Sequence, residues 1–224
     1  MVSKRHRENL KLVDQSKTYT IEEAVQIVKA AKPAKFDETV NMAIALNIDA
    51  TQADQQLRGS FSFPHGVGKK VRVIAICDDS KVEEAKQAGA MEAGSEALAK
   101  RIEEGWLDFD VMVAQPSMMR VIGKLGRILG PKGLMPSPKS GSVQDDIARM
   151  VREFAAGKIE YRNDKQGNIL VPVGKLSFAP EALAANIKAF FDYIVSIRPS
   201  TVRDTFIKRV AISSTMGPGV TLTT

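Results

Sequence analysis

The sequence predicts an α/β protein of two domains. One is a discontinuous α+β two-layer domain built from both termini, residues 1–66 and 158–224. The other is a three-layer Rossmann-like parallel-sheet domain inserted between them, residues 67–157. Three observations predict this. Short apolar runs alternate with helical patterns through the middle of the chain, as βαβ units do. The two ends instead show strands of period two and hairpin-like turns. The changes of style fall at Gly-rich stretches, "PHGVG" and Gly157.

The elements follow in chain order. "MVSKRHRENLK" is basic and lacks the apolar core of a signal peptide, so it reads as a flexible basic arm. Thr20 and Glu23 have capping-box spacing ahead of Ile21, Ala24, Val25 and Val28, which predicts an amphipathic helix stopped by Pro33. In "TVNMAIALNID", Val40, Met42, Ile44, Leu46 and Ile48 alternate with smaller or polar residues, the pattern of a strand with one buried face. "VRVIAIC" and "FDVMVAQ" are apolar on both faces, as buried parallel strands are. Helices are expected at "KVEEAKQAGA", at "SEALAKRIEEG" with Ser95 as N-cap, at "SMMRVIGKLGRIL" and at "VQDDIARMVREFAAG". In the last of these, Ile147, Met150, Val151 and Phe154 share a face.

"KIEYRNDKQGNILVPV" reads as a hairpin turning at "NDKQG". "PEALAANIKAFFDYIVSI" is a helix with Pro180 near its first position and Leu183, Ile187, Phe190, Phe191 and Ile194 on its apolar face. "TFIKRVAISSTMGPGVTLTT" is a strand pair around "TMGPG". Two chain crossings between domains are expected to allow hinge motion.

Composition narrows the function. Of 224 residues, 32 are Lys or Arg against 26 Asp or Glu, giving a net charge of +6, which favours a polyanionic partner such as nucleic acid. The single cysteine, Cys77, lies in a strand-like run, so no intrachain disulfide forms and a reducing compartment fits. No apolar run is long enough to span a membrane.

No catalytic constellation emerges. The first buried strand is followed by "DDSK", which has no glycine and places two carboxylates where a dinucleotide's pyrophosphate would sit. Neither "GVGKK" nor "GKLGRILGPKG" has Walker spacing. The histidines, His6 and His65, sit in the arm and at the crossing, where His65 reads as a hydrogen-bonding hinge residue. One cysteine gives no zinc spacing. No cofactor is expected.

From Gln115 to Gln144 there is no acidic residue, while Arg120, Lys124, Arg127, Lys132 and Lys139 are cationic. Such a patch attracts phosphate by counterion release. Charge alone leaves a second reading open, a solvated helix face followed by a proline-stiffened loop. With aromatics at 6%, a folded RNA read by shape and 2′-hydroxyls fits better than single-strand stacking.

"KLGRILGPKGLMPSPKSG" resembles the signature loop of the family of the first protein of the large ribosomal subunit, the protein of the mobile stalk beside the tRNA exit site. "KFDETVNMAIALNIDATQADQQLRGSFSFPHGVGKKVRVIAIC", "EEGWLDFDVMVAQP", "IEYRNDKQGNILVPVGKLSF" and "SSTMGPGV" resemble further family blocks in the family's order, over essentially the whole chain, with the bacterial form most similar.

The resemblance implies a cytoplasmic, ribosome-bound, non-enzymatic protein. It would bind the stalk region of large-subunit rRNA, assist release of deacylated tRNA at the exit site, and repress its own operon mRNA. It also implies a monomer when free of the ribosome. Carried over by block, it implies RNA contacts at Lys35, Phe36, Glu38 and Thr39, and at Ser214, Thr215, Met216 and Gly217. Lys158, Glu160 and Arg162 are implied on the "KIEYRND" strand. Arg127, Lys132 and Lys139 are expected as secondary nucleic-acid contacts, with the main grip on the terminal domain.

The chemistry suits these roles. A Gly-Pro-Gly turn exposes backbone donors, a threonine hydroxyl suits a 2′-hydroxyl, and methionine suits a sugar or base. Phe36 is equally placed to be core, Thr39 to start a strand and Met216 to fill a turn. Glu38 would repel phosphate, and needs a donor or an arginine.

Overall fold

The computed structural model describes residues 3–202 and 204–223. In chain order the first elements are α1 (Lys4–Leu10), α2 (Ile21–Ala30), β1 (Thr39–Leu46) and β2 (Arg58–Ser62). Then follow β3 (Val73–Ile76), α3 (Val82–Gln87), β4 (Glu92–Gly94), α4 (Glu96–Glu103), β5 (Val111–Ala114), α5 (Met119–Lys124), α6 (Gly126–Leu129) and α7 (Ile147–Ala155). The chain ends with β6 (Lys158–Arg162), β7 (Asn168–Lys175), α8 (Pro180–Ser196), β8 (Ile207–Ser214) and β9 (Val220–Leu222). It forms two compact units. One comprises the residues up to Gly68 and from Tyr161 onward, the other Lys69–Glu160.

The first unit is built on an antiparallel sheet of order β7-β1-β8-β9. The even residues of β1, Val40, Met42, Ile44 and Leu46, are buried with Ile169, Val171, Val173, Val210 and Ile212. α2 and α8 cover that face with Ala24, Val25, Val28, Leu183, Ile187, Phe190 and Ile194, giving two layers. Each fully buried Leu, Ile, Val or Phe contributes about 1.5–3 kcal/mol. The capping box of α2 forms, with Glu23 N–H on the Thr20 hydroxyl and Thr20 N–H on the Glu23 carboxylate. Phe191 is only half-buried, and the polar Asn186 occupies the inner face instead.

Asn186 earns that position by its bonds. Its amide accepts from the His65 N–H at 3.2 Å and donates to the Gly66 and Val173 carbonyls at 2.9 and 2.8 Å. His65 thus does bond here, but through its backbone, and its side chain is exposed. Three residues past His65, Gly68 has φ +75°, and a Cβ there would lie 2.7 Å from the Phe178 ring. Only glycine fits that conformation and that space.

The second unit carries a parallel sheet of order β4-β3-β5. Alternate residues of its strands feed two cores, which makes three layers. Ile74, Ile76, Met112 and Ala114 pack with residues of α4, α5 and α6; Val73, Ala75 and Val113 pack with α3 and α7. Where the chain enters, Lys69 and Arg72 both bond Asp110. Lys69 chiefly holds that carboxyl down to about 2.

Three local expectations are corrected. The basic arm is helical over α1, capped by Ser3 and tied down by the buried Asn9. "KIEYRNDKQGNILVPV" turns at its middle but is not a hairpin. β6 pairs with β2 while β7 pairs with β1, because the buried face of β7 completes the large sheet. Ser95 sits at the N-cap of α4 without capping it; its hydroxyl donates to Asp79 instead.

Candidate nucleic-acid interface

Two segments distant in sequence meet at the end of the large sheet, 34–39 and 214–217. Register brings them there, since Val40 pairs with Ser214 across β1 and β8. Glu38 holds them together. It is 1% exposed, and its carboxylate accepts from the Ala34 N–H at 2.6 Å and from the Met216 N–H at 2.9 Å. Burial pushes the Glu38 carboxyl up, but the Ser214 hydroxyl, these two amides and the charge of Arg5 outweigh it and leave it below the usual glutamate range. Glu38, expected at the RNA surface, is therefore placed inside, with its oxygens already occupied. Ser214 is buried beside it, 5% exposed.

Thr215 forms a second clasp. Its hydroxyl accepts from the Thr39 N–H at 3.1 Å and donates to the Thr39 carbonyl at 3.2 Å. The single hydroxyl proton is thus spent, and what remains for a ligand is one acceptor lone pair. Gly217 closes the turn, its N–H on the Ser214 carbonyl at 3.2 Å. A Cβ on Gly217 would stand 2.4 Å from the Ser214 hydroxyl, so any side chain there forces that hydroxyl to move.

On this frame stand two apolar side chains that face water, Phe36 at 55% and Met216 at 48% exposed. Phe36 is therefore not core. Exposed apolar side chains are ordinary one at a time, and Leu170 is more exposed than either; what sets this pair apart is that both stand on the two loops that Glu38 joins. Lys35 is exposed next to Phe36.

A third segment, within a block of family resemblance but not implied as a contact, joins the cluster. The Lys175 ammonium donates to the Thr39 hydroxyl at 2.9 Å, and the Leu176 N–H to the Glu38 carbonyl at 2.8 Å. Ser177 bonds Asp37 through both its N–H and its hydroxyl. No local motif marks Lys175; only its pairing opposite Thr39 in the β1–β7 register does.

β6 lies elsewhere, in the pair with β2. Lys158 is engaged there, with its ammonium 2.8 Å from Glu153 and 5.3 Å from the centre of the Phe154 ring. It is not a free cation. Glu160 and Arg162 are exposed, and Arg162 borders an open cleft with Gln56, Asn163, Asp164 and Lys165.

In the second unit, Arg127, Lys132 and Lys139 are exposed and form no salt bridge among the described residues; the same holds for Arg120 and Lys124. The loop that carries them is pinned from beneath. Leu129 is fully buried, and Leu134 and Met135 pack on the same core. The buried hydroxyls of Ser140 and Ser142 bond each other at 2.9 Å and reach the Ser137 carbonyl.

Among the described residues no group of three or more His, Cys, Asp or Glu is placed to hold a metal ion, and no helix is long and apolar enough to cross a membrane. Charge, fold and these loops make this a basic α/β protein with an exposed apolar and hydroxyl cluster, and comparison with known proteins puts it among the ribosomal ones. The model of the Ribosomal protein L1p/L10e family matches residues 28–218. The chain belongs to that family, whose members are structural proteins and not enzymes.

Similar proteins include the large ribosomal subunit protein uL1 of Fervidobacterium nodosum, 53% identical over 221 residues, covering 98% of this chain and 94% of that protein. Those of Thermosipho melanesiensis and Thermosipho africanus are each 52% identical over 219 residues, covering 97% of this chain and 94% of theirs.

Proposed function

We propose that this protein is a structural constituent of the large ribosomal subunit that binds the stalk region of the large-subunit rRNA through the 34–39 and 214–217 loops. The observation that carries this reading is the pair Phe36 and Met216, held exposed on loops that a buried carboxylate locks together, in a chain of this family. Phe36 and Met216 cover sugar and base surface. Thr215 accepts from a 2′-hydroxyl, and Lys35 takes phosphate. Glu38 and Ser214 act from inside by fixing the loops, and Gly217 lets the RNA backbone approach.

The two compact units are proposed as the two domains. The terminal one grips rRNA. The inserted one presents Arg127, Lys132 and Lys139 as a weaker contact to exit-site tRNA and assists release of deacylated tRNA. If its own operon mRNA carries a similar RNA fold, the same loops would bind it and the protein would act as a repressor. The protein acts in the cytoplasm on the ribosome and is a monomer when free.

The test is a protection map of total rRNA with the protein at several salt concentrations. A localised footprint in the stalk region with a modest salt slope is expected; diffuse protection that disappears with salt would refute specific recognition.

A further inference from the structure

We infer that α1 is a phosphate-binding flank of the same interface, held against the 34–39 loop and presenting Lys4, Arg7 and Lys11 to the RNA backbone. The inference rests on the reading of the loops given above. The helix is fixed and not a loose arm. Ser3 caps it by accepting from the His6 N–H. Asn9, 1% exposed, donates to the Lys32 carbonyl at 3.1 Å and accepts from the Lys32 N–H at 2.9 Å. Lys32 is two residues before Ala34, whose N–H bonds Glu38. One unbroken series of contacts therefore runs from α1 to the loop clamp. Arg5, half-buried on the inner side of α1, acts on the Glu38 carboxylate through its charge.

The outer side has a different composition. Lys4, Arg7 and Lys11 recur at i, i+3 and i+7, which puts them on one helical stripe. All three are exposed, and none forms a salt bridge among the described residues. The one acidic residue of the helix, Glu8, is engaged by Lys32. Like charges at these spacings weaken a helix, and a helix this short has little stability of its own. A polyanion laid along the stripe removes that repulsion. Lys35, beside Phe36 in the chain, is a further exposed cation on the loop that α1 is tied to.

The experiment uses the full chain and a transcript of the stalk region of large-subunit rRNA, with affinity measured across salt. Lys4→Gln, Arg7→Gln and Lys11→Gln are combined in one variant. Exposed sites predict a melting midpoint no lower than the unaltered protein's, and slightly raised if the lost repulsion counts. The slope of log affinity against log salt is expected to become shallower by about two, at roughly 0.7–0.9 per contact, with at least about tenfold weaker binding at low salt. Wild-type slope and affinity in this variant would overturn the role of α1 while leaving the loop reading intact. If the unaltered protein binds the transcript no better than an unrelated RNA, both readings fall. Asn9→Ala keeps every cation but frees the helix from Lys32. Weaker binding is expected, and wild-type affinity would overturn the claim that the helix must be held in place.

Discussion

Replacing Glu38 by Gln isolates the clamp from everything that touches a ligand. The glutamate offers two acceptor oxygens, one to the Ala34 N–H and one to the Met216 N–H, with the Ser214 hydroxyl also bonded to it. Glutamine keeps one acceptor and turns the other into a donor. One loop N–H then faces another N–H. A hydrogen bond to a charged group is worth about 1.5–3 kcal/mol, and a buried donor left unpaired costs about 1–3 kcal/mol. Both N–H groups are only partly buried, so a loss of about 2–3 kcal/mol is expected for the loop junction. If binding needs the closed junction, that raises Kd by up to about thirty- to a hundred-and-sixtyfold.

Two assays read it. Hydrogen exchange in the free protein should accelerate at Met216 or Ala34, and the affinity for stalk rRNA should fall with its salt slope unchanged. Unaltered exchange together with wild-type affinity would refute the clamp. Unaltered exchange with altered affinity would show instead that Glu38 touches the RNA directly. The same linkage sets the response to acid. The folded carboxyl lies below the ordinary value of 4.5, so its contribution is complete above that value and is lost as pH falls through the lowered one.

Thr215→Val removes both hydroxyl bonds to Thr39 and the remaining acceptor; RNA affinity should drop by about 1–3 kcal/mol, and Thr215→Ser should restore most of it. A Val variant with unchanged affinity at matched salt would remove Thr215 from the interface. Gly217→Ala drives a methyl toward the Ser214 hydroxyl, so binding should weaken and exchange at Met216 should rise as Ser214 leaves Glu38. Lys132→Gln with Lys139→Gln should alter rRNA affinity less than Thr215→Val does. A larger effect would shift the main grip to the inserted unit.

The sequence revealed the fold through its periodicities. The even residues of β1, the two-faced cores of β3 and β5 and the face of α7 were all legible, because burial repeats with the geometry of the element. Partnership across long separations was not. β6 and β7 looked like a hairpin because a turn joins them, yet each found its partner elsewhere. The helix α1 depends on one amide, that of Asn9, meeting backbone more than twenty residues away. At the interface, a resemblance marked Glu38 and Thr215 as important. Only the coordinates separate the side chain that holds the loops from the side chains exposed on them. Lys175 lies in a block that resembles the family, yet nothing local marks it for this cluster.

The buried Asn186 and the clamp on Glu38 also bear on how the chain is made. His65 waits for a partner 121 residues later, and Glu38 for one 178 residues later. During synthesis the inserted unit is complete before β7, α8 and β8 have emerged, whereas β1, destined to lie between β7 and β8, has neither neighbour. The insert can therefore fold first, on a growing chain whose earliest strand still has two open edges. The two loops of the proposed interface close only when residues 214–217 arrive, so a chain truncated before them leaves the Glu38 clamp unmade and would not compete with the untruncated protein for RNA.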